Sequence, residues 1–500
     1  KQREDRLAKL EELRKRGVEP YGRRFATTGS LKEIADSFVE GEGEPAKRVV
    51  AAGRIISLRP HGKAGFLTLR DWTGRLQVYV RKDVVGDDTF EIFKLLDLGD
   101  ILGAEGELHK TRTGEITVFA EKITVLSKSL RPLPEKFHGL KDVEIRQRKR
   151  YLDLISNDES MQAFLKRTKI VHTIRQWLDD RGYVEVETPM MHSIAGGATA
   201  KPFTTHHNAL NLDLFLRIAP ELHLKRLVVG GMDKIYEINR NFRNEGIDSR
   251  HNPEFTMIEI YRAYSDFAGM IELTEQLVSH VVGQVNGSLR VVYGEQTLDF
   301  TPRWRRARYA DLIREHAGAD IDDDAAVRAK AAELKLDLPA RSEGRDAVGS
   351  ESASAPTHDE MVHKLFGECV EPKLIQPTFV THFPASMCPL AKSDPDNPNV
   401  ALRFEVIAAT MEIVNAYSEL NDPIDQMQRF ERQACDRSGR RDASKIDYDF
   451  VEALEHGLPP TGGFGMGIDR LAMLLLNRQS IRDVILFPLL RPETGKTNDE

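Results

Sequence analysis

Between Val49 and Lys128 the chain breaks into five short runs, VVAAGRIISLR, AGFLTLRD, GRLQVYVR, DILGAEGELHK and EITVFAEKITVLS, divided by glycines. Apolar and polar side chains alternate along these runs, the two-residue period of a strand. Thr73-Gly74 and Thr113-Gly114 stand where hairpin turns belong. Five strands of this length closing on one another predict a small barrel of the OB type, a fold whose face commonly holds single-stranded nucleic acid. On that face Phe66 and Tyr79 are placed to stack on bases, and Arg54 and Arg75 to meet phosphates. The same aromatic rings would equally fill a barrel interior, and spacing alone leaves both readings open.

The barrel uses a small part of 500 residues, more than one ordinary core holds, so two or three domains are expected. Hydrophobic residues at 40% and charged residues at 30% suit a folded soluble protein and exclude wholesale disorder. No run of about 18 apolar residues exists to span a membrane. The opening KQREDRLAKLEELRKR lacks the apolar centre of a secretion signal, and with no initiating Met the sequence is expected to begin inside a longer natural chain. Cys369, Cys388 and Cys435 are scattered, which offers no zinc site and no disulfide framework and points to a reducing, cytoplasmic home. At a net charge of -7, any nucleic acid must be met by local basic patches.

The opening stretch reads as a charged helix with Leu7, Leu10 and Leu13 on a narrow stripe, either solvated or touching phosphates. Residues 129–155 read as a proline-marked linker entering a helix, with Arg146, Arg148, Lys149 and Arg150 as a basic cluster. Phe164 to Gly182 has helical spacing, with Ile170, Ile174, Trp177 and Leu178 on one face. YVEVETPMM reads as a strand stopped by Pro189, and KIYEINRNFRN and EFTMIEIYRAY as an antiparallel pair joined by a long polar loop. Helices are expected over 266–286 and 358–376, an exposed or disordered loop over the Ser/Gly/Ala-rich 341–356, and two strands within RFEVIAATMEIVNAYSELND. There is no internal repeat.

Three constellations carry chemistry. FRNEGIDSRHNPEFTMIE, 242–259, sets Arg243, Glu245, Arg250, His251, Glu254 and Glu259 on two arms joined by a turn. On adjacent antiparallel strands, Arg243, Glu245 and Glu259 share one sheet surface, with Arg250 and His251 reaching over it. Inward arginines suit a polyphosphate, or else an internal Arg-Glu network. Glu405, Glu412 and Glu419 recur every seven residues among apolar neighbours, and carboxylates beside a triphosphate are hard oxygen ligands for Mg²⁺. GGFGMGIDR supplies a glycine-rich turn that lets a flat ring approach backbone, with Arg470 near a helix start. Its spacing is not the GxGxxG dinucleotide fingerprint.

In chain order these pieces resemble the three signature motifs of the class II aminoacyl-tRNA synthetases: YVEVETPMM motif 1, FRNEGIDSRHNPEFTMIE motif 2 and GFGMGIDRLAML motif 3. GGATAKPF, APELHLKRLVVGG and NAYSELND are similar to the lysyl branch, and the likeness covers nearly the whole chain. The resemblance implies an α+β chain in which an N-terminal OB-fold β-barrel precedes a class II catalytic domain, an antiparallel sheet flanked by helices. It places an N-terminal helix and anticodon-binding barrel in 1–130, a linker in 131–155 and the catalytic domain in 156–500. Motif 1 falls near 183–191, motif 2 near 236–262, a variable insertion near 300–360 and motif 3 near 462–477.

The resemblance also implies roles. Arg243 would grip the α-phosphate and the lysine carboxylate, and Arg470 the γ-phosphate. Phe255 would stack on adenine, with Glu245, His251 and Asn252 bending the nucleotide, and Glu405 and Glu412 would hold Mg²⁺. Glu221 would take the lysine α-amino group beside Gly197, Glu419 and Tyr261 the ε-ammonium, and Glu259 and Asn415 the walls. On the barrel, Phe66 and Gln77 would read the central anticodon base and Glu115 another. ATP, L-lysine, tRNA(Lys) and a second copy of the chain are the implied partners, with no membrane. Ser386 and Met411 depart from the family pattern, where glutamate and arginine are frequent. The competing reading is a non-catalytic RNA-binding or regulatory paralogue, which loss of Arg243, Arg470, Glu405 or Glu412 would have favoured. All four are present.

Overall fold

The computed structural model describes residues 1–40, 46–134, 140–197, 200–336, 356–434 and 446–492. Two compact units divide between Met161 and Gln162.

The first unit is the expected barrel. Strands β1 (Arg48–His61), β2 (Ala64–Arg70), β3 (Arg75–Arg81), β4 (Ile101–Lys110) and β5 (Ile116–Ser127) close in the order β1-β2-β3-β5-β4. Alternation sends Leu67, Leu69, Val78 and Val80 inward, all nearly inaccessible to water. Phe66 and Tyr79 therefore point outward, which removes the interior reading: their rings stack on the outer face at 4.4 Å. At the β2–β3 turn the Asp71 carboxylate accepts from the backbone of Thr73 and Gly74 at 2.7 and 2.9 Å.

Neither arginine expected to meet phosphate is free. Arg54 donates to the Gly99 carbonyl at 2.7 Å, and Arg75 pairs with Asp158. The N-terminal helix, Gln2–Lys15, is docked and not solvated: Leu10 and Leu13 are buried, and Arg6 donates to the carbonyls of Leu98, Ser129 and Arg131. Within 131–155 lie two short helices, Val143–Arg148 and Arg150–Ser156. Their basic cluster is largely spent on internal pairing, Arg146 and Arg150 on buried Asp153 and Arg148 on Glu144. Burial alone would raise the Asp153 carboxyl, but donors from Asn157, Arg146, Arg150 and Ser160 hold it below its usual range.

The second unit is built on one large sheet. Its strands begin with β6 (Val184–Glu185) and a separate trio, β7 (Met191–His192), β8 (Thr204–His207) and β9 (Leu212–Leu216). The long pair β10 (Lys234–Phe242) and β11 (Glu254–Ala263) follows, then a small hairpin, β12 (Arg290–Tyr293) and β13 (Gln296–Asp299). β14 (Arg305–Arg308), β15 (Thr378–Pro384), β16 (Val400–Ala408), β17 (Met411–Ser418) and β18 (Thr461–Gly467) complete the set. The main sheet runs β14-β15-β16-β17-β18-β11-β10-β6, antiparallel except where β14 meets β15 and β6 meets β10.

Helices cover one face of this sheet. Asp158–Asp179 contributes Ile170, Ile174, Trp177 and Leu178 to the core, the four positions expected from spacing. Phe267–Asn286 starts at the Asp266 carboxylate, which accepts from Gly269 N–H, and ends on Gly287 at φ +70°, where a left-handed turn favours glycine. The third is Ile468–Leu475, apolar on nearly every side. The opposite face is left to the site.

Three local expectations change. YVEVETPMM forms only the two-residue β6 and the start of β7, because Pro189 lacks an N–H and the Thr188 hydroxyl turns to Glu237 at 2.7 Å. The glycine-rich TGGFGMG is no turn: it is β18, paired on both sides with β11 and β17. The helix from His358 is regular only to Leu365, then widens over Phe366–Val370 and tightens over Glu371–Lys373. The 341–356 loop lies, except for Pro356, outside the described residues.

Candidate active site

Strand parity builds the floor of the site. Across four neighbouring strands, Glu405, Asn415, Gly465 and Glu259 form one row, and Arg403, Tyr417, Gly463 and Tyr261 the next. Cross-strand partners share a face, so both rows open on the same side, into a cleft of about 1580 Å³. Every residue assigned above to ATP, lysine or metal lines this cleft. The glycines of β18 keep its centre bare. A Cβ at Gly463 would collide with Glu419 Oε1 and stand 2.9 Å from the Tyr261 ring, and at Gly465 it would meet the Met257 methyl at 3.3 Å.

Glu412 belongs to this face only because β17 is irregular. Val406 pairs with Val414, but the next residue, Ile407, pairs with Glu412, so Ile413 is surplus. This bulge reverses parity. Without it Glu412 would sit on the opposite face from Asn415 and Tyr417, and Met411 would turn toward the cleft in its place. Met411 is instead buried in the core, 3% exposed, so the missing arginine leaves no gap in the cleft. Ser386 is exposed on the turn Ala385–Met387.

One end of the cleft gathers buried carboxylates. Glu221 starts the helix Glu221–Val229 and accepts from Lys225 Nζ at 2.7 Å and the Tyr417 hydroxyl at 2.6 Å. Glu419, 1% exposed, has the Lys225 ammonium against Oε2, yet neither of its oxygens receives a well-aligned hydrogen bond. The Tyr261 hydroxyl donates to Glu259 at 3.0 Å. Burial first, and Glu221 second, push the Glu259 carboxyl up to about 8. Burial likewise raises Glu419, with Lys225 opposing and Glu221 and Glu259 reinforcing. Gly197, at φ +86°, lies beside Glu221, and a Cβ there would stand 3.3 Å from the Ala219 Cβ and 3.5 Å from the Glu221 Cβ. Such an end accepts cations.

The other end gathers arginines. Arg243 is held where β10 runs on beside the motif 2 loop, its N–H donating to the Pro253 carbonyl at 2.8 Å. Its guanidinium lies 5.1 Å from the Phe255 ring, and its buried Nε has no partner. Burial lowers its proton affinity, the mark of a cation waiting for an anion. Arg470, in the first turn of its helix, donates to the Glu412 carbonyl at 2.7 Å and to His251 Nε2 at 3.1 Å. Arg250 donates twice to Thr410, at the β16–β17 turn, both at 2.7 Å. Asn252 donates to the Glu254 carbonyl at 2.6 Å and leaves its own buried Oδ1 unpaired, whereas Glu245 is exposed in the loop.

Glu405 and Glu412 also fit a divalent cation. Burial pushes the Glu405 carboxyl up to about 8 against the pull of Arg403, and Glu412 and Glu371 add repulsion. Excess negative charge of this kind is relieved by Mg²⁺. Among the described residues no three acidic, histidine or cysteine side chains form a ready cage.

Four participants escaped the sequence reading. Arg403 binds Asn415 Oδ1 at 3.0 Å and Glu405 at 2.5 Å, and it stands two residues before Glu405 on the same strand face. Tyr417 stands two after Asn415, so the period of a strand would have found both. Lys225 lies one helical turn after Glu221 in APELHLK. Glu371 carries no signal of its own.

Comparison with known proteins agrees. Residues 142–491 match the family of class II tRNA synthetases (D, K and N), and residues 49–126 match the OB-fold nucleic acid binding domain. The chain is 51% identical to a lysine–tRNA ligase of Syntrophomonas wolfei over 497 residues, 98% of this chain and 97% of that protein. It is 52% identical to a lysine–tRNA ligase of Pelotomaculum thermopropionicum over 97% of this chain and 94% of that one. One of Bacillus anthracis is 49% identical over 97% and 96%. With its sheet, its two-ended cleft and its barrel accounted for, the chain belongs to the class II tRNA synthetases, in the lysine–tRNA ligase family.

Proposed function

We propose that the chain ligates L-lysine to tRNA(Lys) in two steps, forming lysyl-adenylate from lysine and ATP with release of pyrophosphate, then passing the lysyl group to the 3′-terminal adenosine. The observation that carries this is the polarity of one cleft: buried glutamates at one end, an unpartnered Arg243 at the other. Lysine lies with its ammonium groups among Glu221, Glu259 and Glu419, which leaves its carboxylate directed at Arg243. Already ionised, that carboxylate needs no general base to attack the α-phosphorus. Arg243 and Arg470 stabilise the charge that gathers as the P–O bond to pyrophosphate breaks, at about 3 to 4 kcal/mol for such a contact. Phe255 and the bare β18 glycines receive adenine, and His251, Asn252 and Glu245 bend the phosphates back. Glu405 and Glu412 hold Mg²⁺, which when bound neutralises phosphate charge.

The rest of the assignment is part of the same reading. On the barrel, Phe66 and Gln77 take the central anticodon base and Glu115 a neighbour, supported by the outward Phe66–Tyr79 stack and by Thr117 bonded to Gln77 at 2.9 Å. A homodimer joined through motif 1 would cover Val184 and Met191, which are 51% and 56% exposed. We place domain limits at 1–130, 131–155 and 156–500, and the enzyme in the cytoplasm. Among the described residues no helix is long and apolar enough to cross a membrane.

The test is amino-acid-dependent ATP–pyrophosphate exchange without tRNA, run across all twenty amino acids. Exchange with lysine alone is expected. No exchange from folded protein with Mg²⁺ present would replace this reading with that of a non-catalytic RNA-binding paralogue.

A further inference from the structure

Lys225 stands behind the wall of the cleft, wholly shielded from water, and has no role in the reaction described above. The helix Glu221–Val229 carries it one turn past Glu221. Its Nζ donates to Glu221 Oε1 at 2.7 Å and lies against Glu419 Oε2, between the rings of Tyr417 at 5.6 Å and Phe450 at 6.0 Å. A buried ammonium is costly unless its charge is met. Here it is met by the two carboxylates that bound the amino-acid end of the cleft.

The charges at this end can be counted. Glu221 raises the proton affinity of both Glu259 and Glu419, Glu259 adds to that of Glu419, and Lys225 is the cation that opposes this at Glu419. Arg217, the next cation, is committed to Glu237 at 2.7 Å. One ammonium can offset only one of three carboxylates, so the other two are fully ionised only when further cations arrive. A diamino acid brings two ammonium groups, and its carboxylate is answered by Arg243.

We propose that Lys225 is a specificity-determining positioning residue: a resident ammonium that can offset only one of the three carboxylates, so that the α- and ε-ammonium groups of one substrate are left to offset the other two. By occupying one side of both Glu221 and Glu419, it also turns their free oxygens toward the cleft. The inference rests on the lysine reading of the pocket. Without Lys225, the pocket holds one more uncompensated carboxylate and takes up a further proton or a solvent cation where the substrate ammonium belongs.

The experiment is pyrophosphate exchange by the full chain and by Lys225→Met, varying lysine and ATP separately. The expected result is a KM for lysine raised roughly tenfold or more, with KM for ATP and the saturating rate within about twofold. An unchanged lysine KM overturns the proposal. So does a parallel loss in lysine KM, ATP KM and rate, which a purely structural lysine would give. If Lys225→Met does not fold, Lys225→Gln is read by the same split and by the rise in melting temperature with lysine against that with ATP. Failure of both neutral variants to fold assigns Lys225 to folding and overturns the proposal as well. Absence of lysine-dependent exchange in the unmodified chain defeats the lysine reading itself, a distinct outcome.

Discussion

Arg470 Nη2 donates to His251 Nε2 across 3.1 Å, and Asp248 Oδ2 accepts from His251 Nδ1 at 2.8 Å. The chain Asp248–His251–Arg470 ties the motif 2 loop to the first turn of the motif 3 helix. A second tie, Ser249 O accepting from Ile481 N–H at 2.8 Å, holds the same loop from below. Arg470 is thus aimed by a neutral imidazole before any phosphate arrives.

His251→Ala should therefore lower kcat/KM for ATP by about tenfold, the worth of one hydrogen bond to a charged group. KM for lysine, set at the far end of the cleft, should not change. Pyrophosphate exchange with each substrate varied in turn checks both.

Among the described residues Arg243 makes no ion pair, so removing it should cost the reaction and not the fold. Arg243→Ala is expected to cut the exchange rate roughly 10² to 10³-fold while melting temperature holds or rises, since a buried cation is lost. Arg243→Lys should recover little, because an ammonium lacks the planar fork. A melting curve beside the exchange assay separates the two effects.

The pH dependence follows from Glu259. Its carboxyl is raised to about 8, so the folded chain binds this proton more tightly than the unfolded chain does. With pH rising from the usual carboxylate value toward 8, that group's contribution to the stability of the empty protein falls. A bound ammonium favours the ionised form, so lysine affinity should improve over the same interval and level off above about 8. Melting temperatures with and without lysine from pH 6 to 8.5 should diverge steadily. A constant gap would remove Glu259 from the pocket.

Phe66 offers a readout separate from the cleft. Phe66→Ala should raise KM for tRNA by about 5 to 150-fold, the range for one stacked base. Pyrophosphate exchange, which needs no tRNA, should be untouched. Phe119 and His109 continue the outer aromatic ladder beyond Tyr79, with centroids 5.2 and 4.7 Å apart in turn, so a second base has a place beside the first.

The parts of this molecule that alternate or repeat were legible in its sequence. Five barrel strands, the helix face of Ile170, Ile174, Trp177 and Leu178, and the β10–β11 pair all follow from local spacing. The cleft was legible as a set of residue types, because Arg243, Glu259, Glu405 and Glu419 are hard to explain without a ligand. Geometry that depends on a partner strand was not. Nothing local distinguishes TGGFGMG as a central strand from a turn, since glycine erases the alternation that marks one. Arg54 and Arg75 looked free until Gly99 and Asp158 were found beside them. Motif 1 read as a strand running up to Pro189, yet its pairing ends at Glu185.

The bulge at Ile413 makes β17 a hybrid. Its first site residue, Glu412, lies at the arginine end of the cleft, while Asn415 and Tyr417 lie toward the carboxylate end, and one unpaired residue lets both look the same way. Length is thus as much a part of the site as composition. Pairing Ile413 in regular register, with the sequence unchanged, would keep every functional side chain and yet turn Glu412 to the far side of the sheet from Asn415 and Tyr417. A designer who grafts this site onto another scaffold must either carry the surplus residue together with its bulge or leave both out.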